Sequence, residues 1–313
     1  MTDPVLHGGG LRAAEARFGR PTEGWLDLST GISPWAYPMV RLPAAAWRRL
    51  PEPEEIAALE TAAATAYGVG DPAAVVAAPG AQALIQWLPR LRPQGRVAAV
   101  GFTYGEHAHC WRAAGHAVTV VDRLDGAQAY DVAVLVNPNN PDGRIVAPAA
   151  LLAAADAMAR RGGLLVVDEA FADAVPAASV ATAAGRPGLC VLRSFGKMYG
   201  LAGLRLGFAL TSPELASALR AALGPWAVGG PAVAVGAAAL ADRVWRDRMV
   251  ARLAAVEGGA AALHGHLARA GILTRAFPER PDWLRFGIPG GRAAEVRLAA
   301  ALRSARAAGG EGG

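Results

Sequence analysis

The sequence predicts an α/β protein: a mostly parallel sheet with helices on both faces, followed by a small α+β C-terminal domain. Three observations carry this. From Val75 onward, short apolar runs alternate with stretches of helical period. The runs are continuously apolar, where a strand with one wet face would alternate, so both faces of the sheet are covered. After Pro225 the rhythm changes to one long helix-like region and two brief strand-like pieces.

Taken in order, residues 1–30 read as an arm that joins the small domain. His7-Gly8-Gly9-Gly10 has a flexible composition, a helical pattern runs from Leu11 to Phe18, and Trp25-Leu26-Asp27-Leu28 reads as a brief strand. Ser29-Thr30-Gly31-Ile32-Ser33-Pro34 is a polar turn leading into a Pro-rich loop. A helix from Glu54 to Tyr67 places Ile56, Leu59, Ala63 and Ala66 on one side. The predicted strands of the large domain (31–225) are Val75–Ala78, Val97–Gly101, Ala117–Val121, Val132–Val136, Leu164–Asp168, Cys190–Arg193 and Leu204–Leu210. Helices fall between several of them, at Ala81–Leu91, Glu106–Ala114 and Ala149–Arg161. The small domain (226–313) opens with a helix-like region from Ala232 to about Ala270. Gly271–Arg275 and Trp283–Gly287 then read as strands, and a last helix runs to Arg306. The tail Gly309–Gly313 is expected to fray.

Composition narrows the function classes. With 53% hydrophobic and 18% charged residues over 313 positions, the chain has the make-up of an ordered globular protein. Its net charge of +5 comes from dispersed arginines without a basic block, so nucleic acid is not an expected partner. Two cysteines, Cys110 and Cys190, make no disulfide framework, which points to the cytoplasm. The apolar runs are short and interrupted, and Met1-Thr2-Asp3-Pro4 opens no signal peptide, so no membrane association is expected.

Of the 31 Lys and Arg residues, 30 are arginine and one, Lys197, is lysine. Arginine serves as a solvated cation equally well but stays protonated, whereas a lysine amine can become a neutral nucleophile. In a doubly covered sheet, ligands gather beyond the carboxyl ends of the strands. The polar residues lie there: Gly80-Ala81-Gln82, Tyr104, Asn137–Asn140, Asp168 and Ser194–Lys197. An amine nucleophile becomes useful beside a carbonyl cofactor, and the neighbours describe an aromatic cation carrying a phosphate. Asp168, at the end of an apolar strand, suits a protonated ring nitrogen, although an Asp there can also cap a helix. Ser194, Arg205 and the N–H groups after Gly80 suit phosphate oxygens, although Gly80 also reads as an ordinary strand–helix turn. Asn137-Pro138-Asn139-Asn140-Pro141-Asp142-Gly143 is chiefly a turn sequence, but a turn alone does not require three asparagines. Tyr104 could stack on the ring or simply pack.

Together these segments resemble the pyridoxal-phosphate enzymes of the aspartate-aminotransferase fold type, the class I and II aminotransferases, over nearly the whole chain. Asn137–Gly143 is similar to that family's Asn-Pro-Thr-Gly turn, with Asn140 in the cofactor-binding place. Val167-Asp168-Glu169-Ala170-Phe171 resembles its Asp-x-Ala-Tyr segment. Ser194–Gly207 resembles the segment of the cofactor-linked lysine, with Arg205 as a phosphate ligand. The resemblance implies pyridoxal 5'-phosphate as cofactor, bound by Gly80, Ala81, Gln82, Tyr104, Asn140, Asp168, Phe171, Ser194, Lys197 and Arg205, with Lys197 and Asp168 catalytic.

The arm His7-Gly8-Gly9 with Trp25–Pro34, and Phe171 in place of a tyrosine, is similar to the threonine-phosphate decarboxylases of cobalamin synthesis, most of all the aerobic branch. That likeness implies a small phosphorylated amino-acid substrate and a homodimer. His7 and Arg275 would meet the substrate phosphate and Arg285 its α-carboxylate. Two departures stand out: Gly31 replaces an asparagine that lies at the substrate, and Leu50 stands where relatives often carry a tyrosine. The nearest alternative is an aminotransferase of a phosphorylated amino compound, such as histidinol phosphate. A metal site at His107-Ala108-His109-Cys110 is not expected, because residues 107 and 109 diverge on a helix. A phosphate loop at Lys197 lacks the required glycine spacing.

Overall fold

The computed structural model describes residues 7–39, 41–253, 267–277, 280 and 284–309. Contacts divide the chain into two compact units, one of Met1–Thr2 with Tyr37–Ala254, the other of Asp3–Ala36 with Ala255–Gly313.

The second unit holds helix α1 (Leu11–Phe18) and strand β1 (Leu26–Asp27). The first unit begins its regular structure with α2 (Ala45–Arg48) and α3 (Pro53–Tyr67). Sequence chemistry sets the start of α3. Pro53 occupies its first turn, and Glu52 and Glu55 form a reciprocal capping box that satisfies otherwise orphaned N–H groups. Strand β2 (Val75–Ala78) and helix α4 (Ala81–Trp87) come next, then β3 (Arg96–Val100) and α5 (Glu106–Ala113). They are followed by β4 (Ala117–Val121), β5 (Val132–Val136), α6 (Pro148–Ala159) and β6 (Leu164–Asp168). After β7 (Leu189–Ser194) come α7 (Phe195–Met198), β8 (Gly207–Thr211) and α8 (Pro213–Leu223).

The seven strands of this unit lie in the order β2-β8-β7-β6-β5-β3-β4. Six run in one direction; β8 alone is antiparallel to its neighbours β2 and β7. The predicted mostly parallel sheet is therefore present, with a reversed strand that apolar runs alone could not reveal. One face packs Val76, Val134, Val166 and Leu192 against Leu84 of α4, Trp111 of α5 and Leu219 of α8.

Several expected elements differ: the strand predicted over Gly271–Arg275 is two, Ile272–Leu273 and Arg275–Ala276, and the helix predicted to Leu91 ends at Trp87, followed by a 3-10 turn. The strand predicted from Leu204 begins only at Gly207, because Ala202–Leu204 closes a 3-10 turn and Arg205 is left-handed, with φ 54°. The helix-like region after Ala232 is two helices, α9 (Gly230–Ala241) and α10 (Arg243–Leu253). Asp242 separates them: its carboxylate accepts the N–H of Trp245 at 2.9 Å and so caps α10. Both helices group with the first unit, beyond the expected boundary at 225/226. The rest of that region, residues 254–266, lies outside the described residues, as do Trp283 and the tail 310–313.

The second unit is completed by β9 (Ile272–Leu273), β10 (Arg275–Ala276), β11 (Leu284–Arg285) and α11 (Arg292–Gly309). β1 pairs in parallel with β9, and Leu28, Leu267, Ile272 and Leu284 form a small core. The arm is thus part of this unit's sheet and core. Among the described residues, no helix is long and apolar enough to cross a membrane.

Candidate active site

The site is built at the carboxyl ends of β2, β5, β6 and β7, where register decides which side chain enters which layer. Along β6, Leu164 and Val166 enter the core beneath α4 and α5, and Asp168, two residues on, turns the same way. Its carboxylate is buried. Oδ2 lies 2.8 Å from Nε2 of His107, and Oδ1 accepts the N–H of Ala170 at 3.0 Å. On β7, Cys190 and Leu192 share that core, Ser194 continues the face, and α7 carries Lys197. Lys197 Nζ stands 5.4 Å from the centre of the Phe171 ring.

Gly80, Ala81, Gln82, Tyr104, Asn140, Asp168, Phe171, Ser194, Lys197 and Arg205 all line one cavity of about 160 Å³. Ile85, Val136 and Leu206 add apolar wall. Two glycines make the packing at one end possible. Gly80 has φ +85°, and a Cβ there would stand 2.7 Å from Nη2 of Arg205. Gly207 pairs with Ser194 in the β7–β8 ladder, and a Cβ on it would fall 2.4 Å from the backbone nitrogen of Ala81. The Ser194 hydroxyl, the Arg205 guanidinium and the start of α4 are thereby gathered together. Arg205 accepts a left-handed backbone for this, at a cost of about 1–2 kcal/mol, while its Nη1 donates to Ala202 O at 3.0 Å. Donors of this kind suit an anionic oxygen cluster, and the buried carboxylate of Asp168 suits a ring cation.

The three asparagines have separate tasks. Asn137 donates through Nδ2 to Val146 O and Ala178 O, at 3.2 and 3.1 Å, and accepts from Val146 N–H at 2.8 Å. Asn139 donates to Phe102 O at 2.9 Å and Asp142 at 2.7 Å, and accepts from the Thr103 hydroxyl at 2.7 Å. Both hold loops in place; Asn140 is the one that lines the cavity. Gln82 donates to Glu106 at 2.6 Å and accepts from the Tyr104 hydroxyl at 3.4 Å.

Sequence reasoning missed His107 and Glu106, which reach Asp168 and Gln82 from consecutive positions in α5. A signal for His107 was present. His107, Cys110 and Trp111 form the buried i, i+3, i+4 stripe of that helix, so a titratable ring sits at a core-facing position and needs a polar partner. Among the described residues, no group of His, Cys, Asp and Glu side chains is placed to hold a metal ion.

Gly31, Arg275 and Arg285 belong to the second unit, with His7 on its arm. Gly9 N–H donates to the Ser29 hydroxyl at 2.7 Å, and Arg285 Nη2 donates to Ser29 O at 2.7 Å. Gly9 of the arm and Arg285 therefore both bond to Ser29. Arg275 and Arg285 stand directly opposite one another in the β10–β11 ladder.

The family model "Aminotransferase class I and II" matches residues 42–276. The chain is 47% identical to the threonine-phosphate decarboxylase of Pseudomonas aeruginosa, over 95% of this chain and 96% of that one. It is 43% identical to a threonine-phosphate decarboxylase from Sinorhizobium sp, over 96% of this chain and 98% of that one. Among solved structures, the histidinol-phosphate aminotransferase of Sinorhizobium meliloti, in complex with pyridoxal-5'-phosphate, shares the fold with a TM-score of 0.77. Identity to it is 24%, over 97% of this chain and 96% of that one.

Proposed function

Because the chain belongs to the aminotransferase class I and II family, we propose that it is a pyridoxal-phosphate-dependent decarboxylase. Its substrate is L-threonine O-3-phosphate and its product 1-amino-2-propanol O-phosphate, for cobalamin biosynthesis. The observation that carries this choice of reaction is the likeness to threonine-phosphate decarboxylase over 95% of the chain.

The cavity fits the cofactor. Gly80 and Gly207 let Arg205 and the start of α4 pack closely beside Ser194, which gathers the donors suited to a phosphate, and Asp168 offers a buried carboxylate for the ring nitrogen. When bound, pyridoxal phosphate supplies an aromatic ring that accepts the electron pair left at the substrate Cα. Asp168, held by His107, would keep the proton on the ring nitrogen. Ser194, Arg205 and the N–H groups after Gly80 would hold the phosphate, the Asn140 amide would meet the phenolic oxygen, and Tyr104 would lie against the ring. Lys197 Nζ would hold the cofactor's aldehyde carbon at rest and, released when the substrate's amine takes its place, would carry the proton for Cα. Phe171 brings no hydroxyl where the family's transaminases keep a tyrosine.

Decarboxylation requires the carboxylate, and not the Cα–H, to stand across the ring plane. We assign that positioning to Arg285 on the α-carboxylate, with His7 and Arg275 on the substrate phosphate. Arg275 and Arg285 are partners in the β10–β11 ladder, which puts the two cations side by side on one short ribbon. Loaded with cofactor and given phosphothreonine, the protein is expected to release carbon dioxide in step with substrate loss, without 2-oxoglutarate. A keto acid formed only with 2-oxoglutarate would instead assign an aminotransferase of the histidinol-phosphate kind.

A homodimer belongs to the same proposal. Trp47, Leu50 and Trp226 are large apolar side chains left 70%, 60% and 56% exposed in the first unit. Pro51 lines two neighbouring apolar grooves there, one with Leu50 and the other with Trp226. Sedimentation equilibrium is expected to give twice the chain mass of 32.1 kDa, and Trp47→Glu to shift it toward the monomer. We also place the protein in the cytoplasm; Cys110 and Cys190 are both free, buried thiols.

A further inference from the structure

On the face of the sheet away from Asp168 lies a buried group of charges that the chemistry above does not use. β6 and β7 pair as far as Asp168 opposite Leu192. The next residue on each strand is Glu169 and Arg193. Side chains alternate along a strand, so these two turn away from the face that Asp168 and Ser194 share. Arg193 Nη1 donates to Glu169 Oε2 at 2.8 Å, and its Nη2 donates to Asp173 Oδ1. Glu169 also accepts from the Ser179 hydroxyl at 2.5 Å and from Val180 N–H at 2.6 Å. The Tyr67 ring lies 4.4 Å from the guanidinium carbon. Exposure is 4% for Arg193 and 0% for Glu169. Burial works against the arginine's charge, but the neighbouring Asp173 and Glu169 outweigh it and raise its pKa.

Stability does not explain such a pair, because desolvating two charges offsets most of what their attraction returns. Its place in the fold does. The β6–β7 ladder ends at Asp168, and past that point the strands are joined by Glu169 N–H on Leu192 O at 2.8 Å and by this pair. Glu169 follows Asp168 directly, Arg193 is four residues before Lys197, and Asp173 is two residues past Phe171. We propose that Arg193 and Glu169 are positioning residues, an ionic staple across the carboxyl ends of β6 and β7 that sets Asp168 and Phe171 against Lys197. The inference rests on the cofactor reading, since what it aligns are the two groups assigned to the ring nitrogen and the aldehyde carbon. The staple touches neither cofactor nor substrate and acts through the strand ends.

The test uses Glu169→Gln, which keeps shape but removes the charge, and Arg193→Lys, which keeps charge but lacks the planar fork that holds Glu169 and Asp173 in one geometry. Both are loaded with pyridoxal phosphate. Thermal unfolding, the pH dependence of the visible cofactor band, and kcat and KM with phosphothreonine are then compared with the parent. A misplacement of this order at a reacting centre is expected to lower kcat by roughly 10- to 100-fold, with KM changed by less than about threefold. The pH midpoint of the band is expected to move in both variants. A folded Glu169→Gln protein with the parent's midpoint and kcat overturns the proposal, as does a loss confined to thermal stability. Should Arg193→Lys not fold, Glu169→Gln decides alone. The band needs no substrate: a shifted midpoint with no carbon dioxide from the parent supports the staple and strikes only the substrate assignment.

Discussion

Lys197→Ala is expected to be the most damaging single change in the protein, lowering turnover by about 10³-fold or more. Lys197 is the chain's one lysine, so no other side chain can supply a primary amine. Its segment is short and well packed: Phe195 and Met198 of α7 are buried, and Tyr199 stacks on Phe195 with ring centres 4.2 Å apart. Alanine favours helix and Lys197 itself is only half-buried, so the fold is expected to persist. The measurement is direct. Borohydride should attach pyridoxal phosphate covalently to the parent, seen as a gain in chain mass, and should attach none to the variant. Lys197→Arg is expected to behave like the alanine variant, since it restores the charge but not the amine. Covalent attachment surviving in either variant would contradict the assignment.

The second large effect is expected from Asp168→Asn, and it should separate the two groups proposed as catalytic. The substitution preserves size and leaves a partner for both His107 and the Ala170 N–H, so folding is expected to hold. It removes the buried negative charge that, on the proposed reading, would keep a proton on the ring nitrogen. A hydrogen bond between charged groups is worth about 1.5–3 kcal/mol, so kcat is expected to fall by roughly 100-fold. Borohydride should still attach the cofactor in this variant, because the amine of Lys197 is untouched. An Asp168→Asn protein with the parent's kcat would remove Asp168 from the mechanism.

Much of the framework was legible because burial leaves a local trace. β2, β4, β5 and β6 occupy the residues expected of them, each an apolar run between turn residues. The limits of such reading are equally physical. At Leu204-Arg205-Leu206 the apolar pattern continues, yet the chain turns left-handed at Arg205, where its guanidinium packs on Gly80, far away in sequence. After Ala232 the helical period runs unbroken through Asp242, whose cap on Trp245 divides the helix. Nothing local distinguishes β8 from the six strands that run the other way, since a strand buried on both faces has the same composition in either direction.

The same division runs through the site. By itself the sequence determined which chemistry is present: one amine, a carboxylate at a strand end, and a serine and an arginine flanking the lysine. Each is announced by residue type and by its place after an apolar run. The tertiary structure alone decided the partnerships. His107 meets Asp168 across 61 residues, Glu169 meets Arg193 across 24, and Arg275 faces Arg285 through a ladder. Periodicity records only whether a side chain is buried; which buried group it meets depends on strand order and register, which arise from contacts between segments remote in the chain.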